Sequence, residues 1–520
     1  MANKEDFVTA INKSYTSDLP QIHLGSAVLE GEIIAEAKVN LPLRMMNRHG
    51  LVAGATGSGK TRTLQLLAEQ LADAGVPVFM TDVKGDLSGL INPGKEDIRL
   101  SDRAKILGID FKPEGFPVEL YSLSGKKGAQ MRATVLEFGP ILLSKVLDLN
   151  DTQAGVLSVL FKYADDKSLP MVDLIDLKKV LNYLSEGPGV AEIKQDYGTI
   201  SASTSGTILR KIVALEQQGV NNIFGETSFD IDDLFNKIDG KGLISLLNLS
   251  DMQGHPAVFS TFLLSLLAEL YTKMPEAGDL DKPKLVFFLD EAHLLFKDAS
   301  KAFLEQIEQI IRLIRSKGIG VFFCTQMAQD IPATILAQLG NRIQHVLRAF
   351  TPQDADGLKQ TVKTYPNSKF YEIDKILTSL GIGQALITVL NEKGIPTEVA
   401  ATHLCPPEAY MGPIPEQQYQ EAVQNSDISR KYKETLNPES AYEILNKKIQ
   451  QAEEEKQATE QVKAEQKAEQ TVSKGRQEKS TFEQVLASPI TKEIGKQLVR
   501  GVFGMLFGTS KSTSRKKSPW

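Results

Sequence analysis

With 520 residues, 42% of them hydrophobic and 24% charged, the chain is long enough for one large core domain with insertions or for two to three domains, and its composition excludes global disorder. A formal net charge of -6 argues against a surface uniformly dressed for nucleic acid and leaves room only for a local basic channel. Two cysteines, Cys324 and Cys405, and six histidines that never pair at i,i+3 or i,i+4 argue against a disulfide framework, a thiolate zinc site and a histidine metal site.

Met1 to Ala10 carries Glu5 and Asp6 and no apolar run, so it does not read as a secretory signal, and no apolar stretch approaches the roughly 18 residues of a spanning helix. The expected location is cytoplasmic. Within residues 1–45, positions 21–40 alternate loosely apolar and polar around Gly25 and Gly31, which predicts a short β element, too small for a full barrel. Residues 46–123 open the core with a strand from His49 to Ala53, a Gly-rich turn, and a helix from Lys60 whose Leu64, Leu67, Ala68 and Leu71 keep helical spacing. A second strand over Val76 to Met80 follows, and the polar loop Thr81 to Gly89 stands at its carboxyl end, where open α/β sheets place ligand-binding loops.

Residues 124–240 keep mostly helical periodicity, as in Ile141 to Leu149, Gly155 to Tyr163 and Leu174 to Leu184, and read as a helical insertion. The β/α rhythm resumes over 241–405, with strands near Leu243 to Leu249, Leu285 to Leu289, Gly320 to Thr325, Ile343 to Leu347 and Ala385 to Val389. The predicted fold class is therefore α/β, with one mainly parallel, doubly wound sheet, a helical insertion and a helical C-terminal tail. Residues 406–480 form a polar linker, helical or disordered: positions 451–480 hold seven Glu and six Lys or Arg but no aromatic, Leu or Ile, and cannot bury a core. In 481–520, Ile490, Ile494, Leu498 and Val502 recur four apart while Lys492, Lys496 and Arg500 take other faces, which predicts an amphipathic helix before a basic tail.

The chemistry is carried by two words. Gly54-Ala55-Thr56-Gly57-Ser58-Gly59-Lys60-Thr61 satisfies G-x-x-x-x-G-K-[ST] between a strand and a helix. Its glycines let backbone N–H groups converge on phosphate oxygens, and the following helix adds the positive end of its dipole. Lys60 is expected to reach the β- and γ-phosphates and the Thr61 hydroxyl to ligate magnesium. The second word is the apolar strand Leu285 to Leu289 ending in Asp290-Glu291. Adjacent strand residues point to opposite sides, so the acids need different tasks: Asp290 for the magnesium shell, Glu291 to polarise the attacking water.

Asp290 to His293 spells D-E-A-H, yet the chain has neither the second P-loop nor the Q-R-x-G-R-x-G-R element of DEAH-box RNA helicases. Asp82-Val83-Lys84-Gly85 imitates the D-x-x-G of GTPases without an N-K-x-D guanine reader, which favours ATP over GTP. Gln326, just past an apolar strand, is placed to sense or orient water beside the γ-phosphate. Cys324 reads as an inert buried thiol, and Arg312 and Arg315, on an amphipathic helix, read by themselves as solvated charges.

The words NRHGLVAGATGSGKT, GVPVFMTDVKGDLSG, SGTILRKIVALEQQGVNNIFGE, LVFFLDEAHLLF and RSKGIGVFFCTQMAQDIP together resemble the HerA-like helicases of the HerA/FtsK superfamily, and within it the bacterial YjgR-like branch. The resemblance spans about residue 21 to beyond 400. The resemblance implies a RecA-like fold, a ring-shaped, hexameric homo-oligomer with ATP between subunits, and an arginine shortly before the T-Q strand that acts on a neighbour's ATP. Arg315 occupies that place, with Arg342 in reserve. Archaeal HerA carries a larger N-terminal barrel than the fewer than about 50 residues that precede this P-loop. The function expected is an ATP-driven motor on double-stranded DNA, with Lys126-Lys127, Lys178-Lys179 and Arg210-Lys211 available for phosphate contact. The alternative is a ring ATPase acting on a protein or membrane partner, which the acidic balance and the C-terminal amphipathic helix favour.

Overall fold

The computed structural model describes residues 3–473 apart from 96, 219, 220, 298, 300, 435 and 437. The predicted amphipathic helix and basic tail of 481–520, and positions 474–480 of the linker, lie outside the described residues.

In chain order the strands are β1 (Gln21–Leu29), β2 (Glu32–Pro42), β3 (Gly50–Ala53), β4 (Val78–Asp82), β5 (Val118–Ser122), β6 (Ala129–Gln130), β7 (Lys237–Ile238), β8 (Lys241–Gly242), β9 (Ile244–Asn248), β10 (Leu285–Leu289), β11 (Ile319–Thr325), β12 (Asn341–Gln344), β13 (Gln384–Thr388) and β14 (Ala400–Leu404). All but the β7–β8 hairpin join one 12-stranded sheet in the order β2-β1-β14-β13-β12-β3-β11-β10-β4-β9-β5-β6. From β12 to β6 every pairing is parallel, and β3, β4, β9, β10 and β11 are buried along their whole length. Runs such as Leu285-Val286-Phe287-Phe288-Leu289 are what a strand covered on both faces requires.

The sheet is mainly parallel, as expected, with its antiparallel pairings confined to one side. β13 runs antiparallel to β12, β14 to β13, and β1 to both β14 and β2. A hairpin needs only a short connection, whereas a parallel neighbour needs a crossover of a dozen or more residues; the segment between β13 and β14 is too short to cover a crossover helix. The N-terminal β element is thus the outer edge of the core sheet.

The helices that matter below are α1 (Lys4–Tyr15), α2 (Lys60–Asp73), α3 (Ile98–Leu107), α4 (Val135–Val146), α5 (Asp151–Asp166), α6 (Leu174–Ser185), α7 (Val190–Asp196), α8 (Ala202–Gln217), α9 (Pro256–Lys273), α10 (His293–Phe296) and α11 (Lys301–Ile314). Helix α1, unanticipated from the sequence, buries Phe7, Ile11 and Tyr15, and the Tyr15 hydroxyl donates to the carbonyl of Glu398 at 2.6 Å. Asn3 caps it by accepting from the Glu5 N–H. Met1 to Asn446 form one compact unit. The second unit begins at Lys447 and continues as helix to Ser473, and the side chains of 447–463 are almost all exposed.

His49 ties the start of β3 to its surroundings. Its Nε2 lies 2.7 Å from the Ile311 carbonyl and its Nδ1 accepts from the Val321 N–H at 3.0 Å, so the neutral tautomer protonated on Nε2 satisfies both partners. Burial, with Arg315 and Arg48 nearby, pushes its pKa down to about 4, against the ordinary 6.5. The unfolded chain therefore takes up a proton that the folded one refuses, and stability falls as pH drops from 6.5 toward 4, by up to about 3 kcal/mol for this group. His49→Gln should be less stable at pH 7 but lose less on acidification. Urea unfolding at pH 7, 6 and 5 measures this, and an unchanged pH slope would remove His49 from the account.

Candidate functional site

Because β11 lies between β3 and β10, three strand ends converge on one edge of the sheet. Ala53 is level with Thr325, and Leu289 with Phe323, so the P-loop leaves β3, Gln326 leaves β11 and Asp290-Glu291 leave β10 side by side. The crevice beyond the carboxyl ends of parallel strands is where such sheets bind ligands.

The loop Gly54 to Thr61 wraps onto the N-terminus of α2. Gly54 has φ +152°, and a Cβ there would stand 2.5 Å from the Cβ of His345, so only glycine lets the loop lie this close to β12. The Ala55 N–H donates to Val346 O at 2.9 Å and the Gly54 N–H to Thr325 O at 3.3 Å, which anchors the loop to both flanking strands. Lys60 is buried, with Nζ 2.7 Å from Gly54 O and 3.2 Å from Ala55 O. Beneath the loop, His345 Nε2 lies 2.9 Å from Thr63 Oγ1, and burial together with the Lys60 charge lowers its pKa to about 4, keeping it neutral beside the lysine.

Asp290 is 7% exposed, and its backbone N–H donates to Thr81 Oγ1 at 2.8 Å, locking the end of β10 to β4. Burial, and then the adjacent Glu291, raise its pKa, and the Cys324 thiol hydrogen-bonds to its carboxylate. The Thr61 hydroxyl and the Asp290 carboxylate, which burial leaves short of compensating charge, are oxygen donors of the kind magnesium selects. Glu291 sits at φ +47°, in the left-handed region, with Oε1 2.7 Å from Lys84 Nζ.

Arg315 stands apart from these groups. It begins the short turn Arg315–Lys317 before β11, is exposed, and lies near Arg48, whose pKa is lowered first by burial and then by the Arg315 charge. That is the opposite edge of the sheet from its own P-loop. Arg342 points its guanidinium toward the carbonyls of Leu339 and Thr364. Of the predicted phosphate-contacting pairs, Lys127 is bound to Glu416 at 3.0 Å, Lys178 to Glu216 at 2.8 Å and Lys211 to Asp148 at 2.9 Å, so half of each pair is locally neutralised.

A cavity of about 190 Å³ that the sequence did not reveal adjoins Gly59 and Thr63. Leu66, Leu100, Ile382, Pro406 and Met411 give it apolar walls, and Arg103 is held at its side by the carbonyls of Leu404 at 2.7 Å and Gly383 at 2.5 Å.

Residues 28–512 match the family model "Helicase HerA-like C-terminal". The chain is 24% identical over 403 residues to the DNA double-strand break repair helicase HerA of Sulfolobus acidocaldarius, covering 73% of this chain and 70% of that one. It is 23% identical over 393 residues to the protein of the same name from Sulfurisphaera tokodaii, with 73% and 70% covered. Among solved structures, the plasmid coupling protein TrwB in complex with an ATP analogue aligns over 79% of this chain and 96% of its own, with 14% identity and a TM-score of 0.49.

Proposed function

The chain belongs to the helicase HerA-like family of RecA-like P-loop ATPases, and on that premise we propose that it is a ring motor that hydrolyses ATP to act on double-stranded DNA. The observation that carries the reading is the convergence, at three adjacent strand ends, of the P-loop, the acidic pair and Gln326 within the span that defines the family. The assignment to the YjgR-like branch rests on the motif words alone.

In this reading Lys60 and the loop N–H groups of Gly54 to Thr61 grip the phosphates, and the helix dipole of α2 supports them. Thr61 and Asp290 would hold magnesium, which when bound neutralises charge on the β- and γ-phosphates. Glu291 orients the attacking water and accepts its proton, while Gln326 reports on the γ-phosphate to β11. The cavity beside Gly59 takes the base: its apolar walls suit a purine face, and the two Arg103 donors are spent on backbone carbonyls. Arg315 serves the site of an adjoining subunit in a ring.

The test is the ATPase rate with and without double-stranded DNA at defined salt. At 50 mM salt the duplex should raise the rate several-fold, and its apparent affinity should fall at least about 10-fold by 200 mM as phosphate contacts give way to counterions. A rate indifferent to both DNA and salt would overturn the DNA reading and favour a protein or membrane partner.

A further inference from the structure

The loop after β4 does more than join it to α3. Asp82, at the end of β4, is buried and spends its carboxylate on the turn that follows: Oδ1 accepts from the N–H groups of Gly85 at 2.7 Å and Asp86 at 3.1 Å, and Oδ2 from that of Leu87 at 3.0 Å. Gly85 closes the turn at φ +79°. The backbone on both sides of Lys84 is thereby fixed, and since β4 is the parallel neighbour of β10, Lys84 is delivered across to the acidic pair.

At the receiving end, Glu291 is constrained twice. Its backbone occupies the left-handed region at φ +47°, a strained conformation for a non-glycine residue. Its carboxylate is 10% exposed, with Oε1 held 2.7 Å from Lys84 Nζ, while Oε2 makes no hydrogen bond among the described residues and has His293 Nδ1 3.5 Å away. A buried carboxylate oxygen without a donor is costly and in a native site calls for an explanation. Here it is an acceptor open to a water molecule, with the partly exposed His293 imidazole at its side.

Resting on the reading of Glu291 as the residue that orients the attacking water, we propose that Lys84 is its positioning residue, clamping Oε1 so that Oε2 faces the water. Lys84 acts through Glu291 and has no share in gripping the nucleotide. A flexible amine could instead have served as a phosphate ligand, but its ammonium is already engaged at ion-pair distance by the carboxylate.

The experiment compares Lys84→Met, which keeps the stem and removes the charge, with Lys84→Arg, which keeps the charge. With the full chain, Lys84→Met should lower kcat about 100-fold while KM and the affinity for a fluorescent ATP analogue move less than about 3-fold, the pattern of a misplaced catalytic group. It should retain ADP–beryllium fluoride, a ground-state mimic, and release ADP–aluminium fluoride, which mimics the transferring phosphoryl group. Lys84→Arg should recover most of kcat and of aluminium fluoride retention. Normal kcat in Lys84→Met would overturn the proposal, as would parallel loss of ATP binding and both mimics, or an arginine variant no better than methionine. Glu291→Gln separates the two levels. If it is inactive while Lys84→Met is normal, only the role of Lys84 fails; if it hydrolyses ATP normally, the role of Glu291 fails and that of Lys84 with it.

Discussion

Lys60→Ala is expected to abolish nucleotide binding, whereas Glu291→Gln should bind MgATP and fail to hydrolyse it. Lys60 is the one cation within Gly54 to Thr61, and its ammonium is buried where the loop closes on itself, 2.7 Å from Gly54 O. Charge-assisted contacts to phosphate made in such a setting are worth about 1.5 to 3 kcal/mol each, so losing two of them should weaken affinity at least about 100-fold. Glu291 stands at the end of β10, and one strand, β11, separates it from the strand that carries the P-loop. Its amide replacement keeps the shape but not the acceptor for a proton, which should lower hydrolysis by about 10² to 10⁴ at nearly unchanged affinity. Titration with a fluorescent ATP analogue and a phosphate-release assay report the two properties separately. Equal loss of binding in both variants would remove the division of labour between grip and chemistry.

The two words that carry this division were legible because each is local. A P-loop needs eight consecutive residues between a strand and a helix, and the acidic pair needs only an apolar run that ends, so both survive being read one segment at a time. The central strands were legible for the same reason: a strand buried on both faces announces itself as an uninterrupted apolar run, as Leu285 to Leu289 and Ile319 to Thr325 do. At the sheet's margins that signal weakens. Val118–Ser122 mixes Glu119 into its run and Ala400–Leu404 carries Thr402 and His403, and neither stood out as a strand. Helix α1 was missed despite Phe7, Ile11 and Tyr15 falling four apart behind an Asn cap, a pattern that could have identified it.

What periodicity cannot show is a site assembled from distant pieces. The cavity beside Gly59 draws on α2, α3, residues 382–383 and residues 404–411, and no single stretch of these is distinctive. The contact between Lys84 and Glu291 joins loops more than 200 residues apart, and it depends on β4 and β10 being neighbours, which follows from strand order and not from either sequence word. Likewise the three predicted basic pairs looked equivalent in the sequence, and the carboxylates that occupy Lys127, Lys178 and Lys211 come from residues 416, 216 and 148.

Arg315→Ala is expected to lower ATP hydrolysis by about 10³ to 10⁵, the range spanned by arginine fingers, and the defect should be complementable between subunits. The fold supplies the reason for action in trans. Arg315 precedes Ile319–Thr325, a seven-residue strand that at about 3.3 Å per residue puts roughly 20 Å between its start and the edge where Gly54 and Glu291 lie. An arginine side chain cannot span that, so a γ-phosphate touched by Arg315 belongs to another copy. An Arg315→Ala subunit still offers Lys60 and Glu291, and a Glu291→Gln subunit still offers its arginine to the neighbour. Mixing the two inactive variants under conditions that exchange subunits should therefore restore part of the ATPase activity, provided the ring does not need every site to fire. Mixed rings that form without recovering activity would count against action in trans. A fully active Arg315→Ala variant would eliminate Arg315 and turn attention to Arg342, which lies one residue into β12 and holds only long contacts, at 3.4 and 3.5 Å, to the carbonyls beside it.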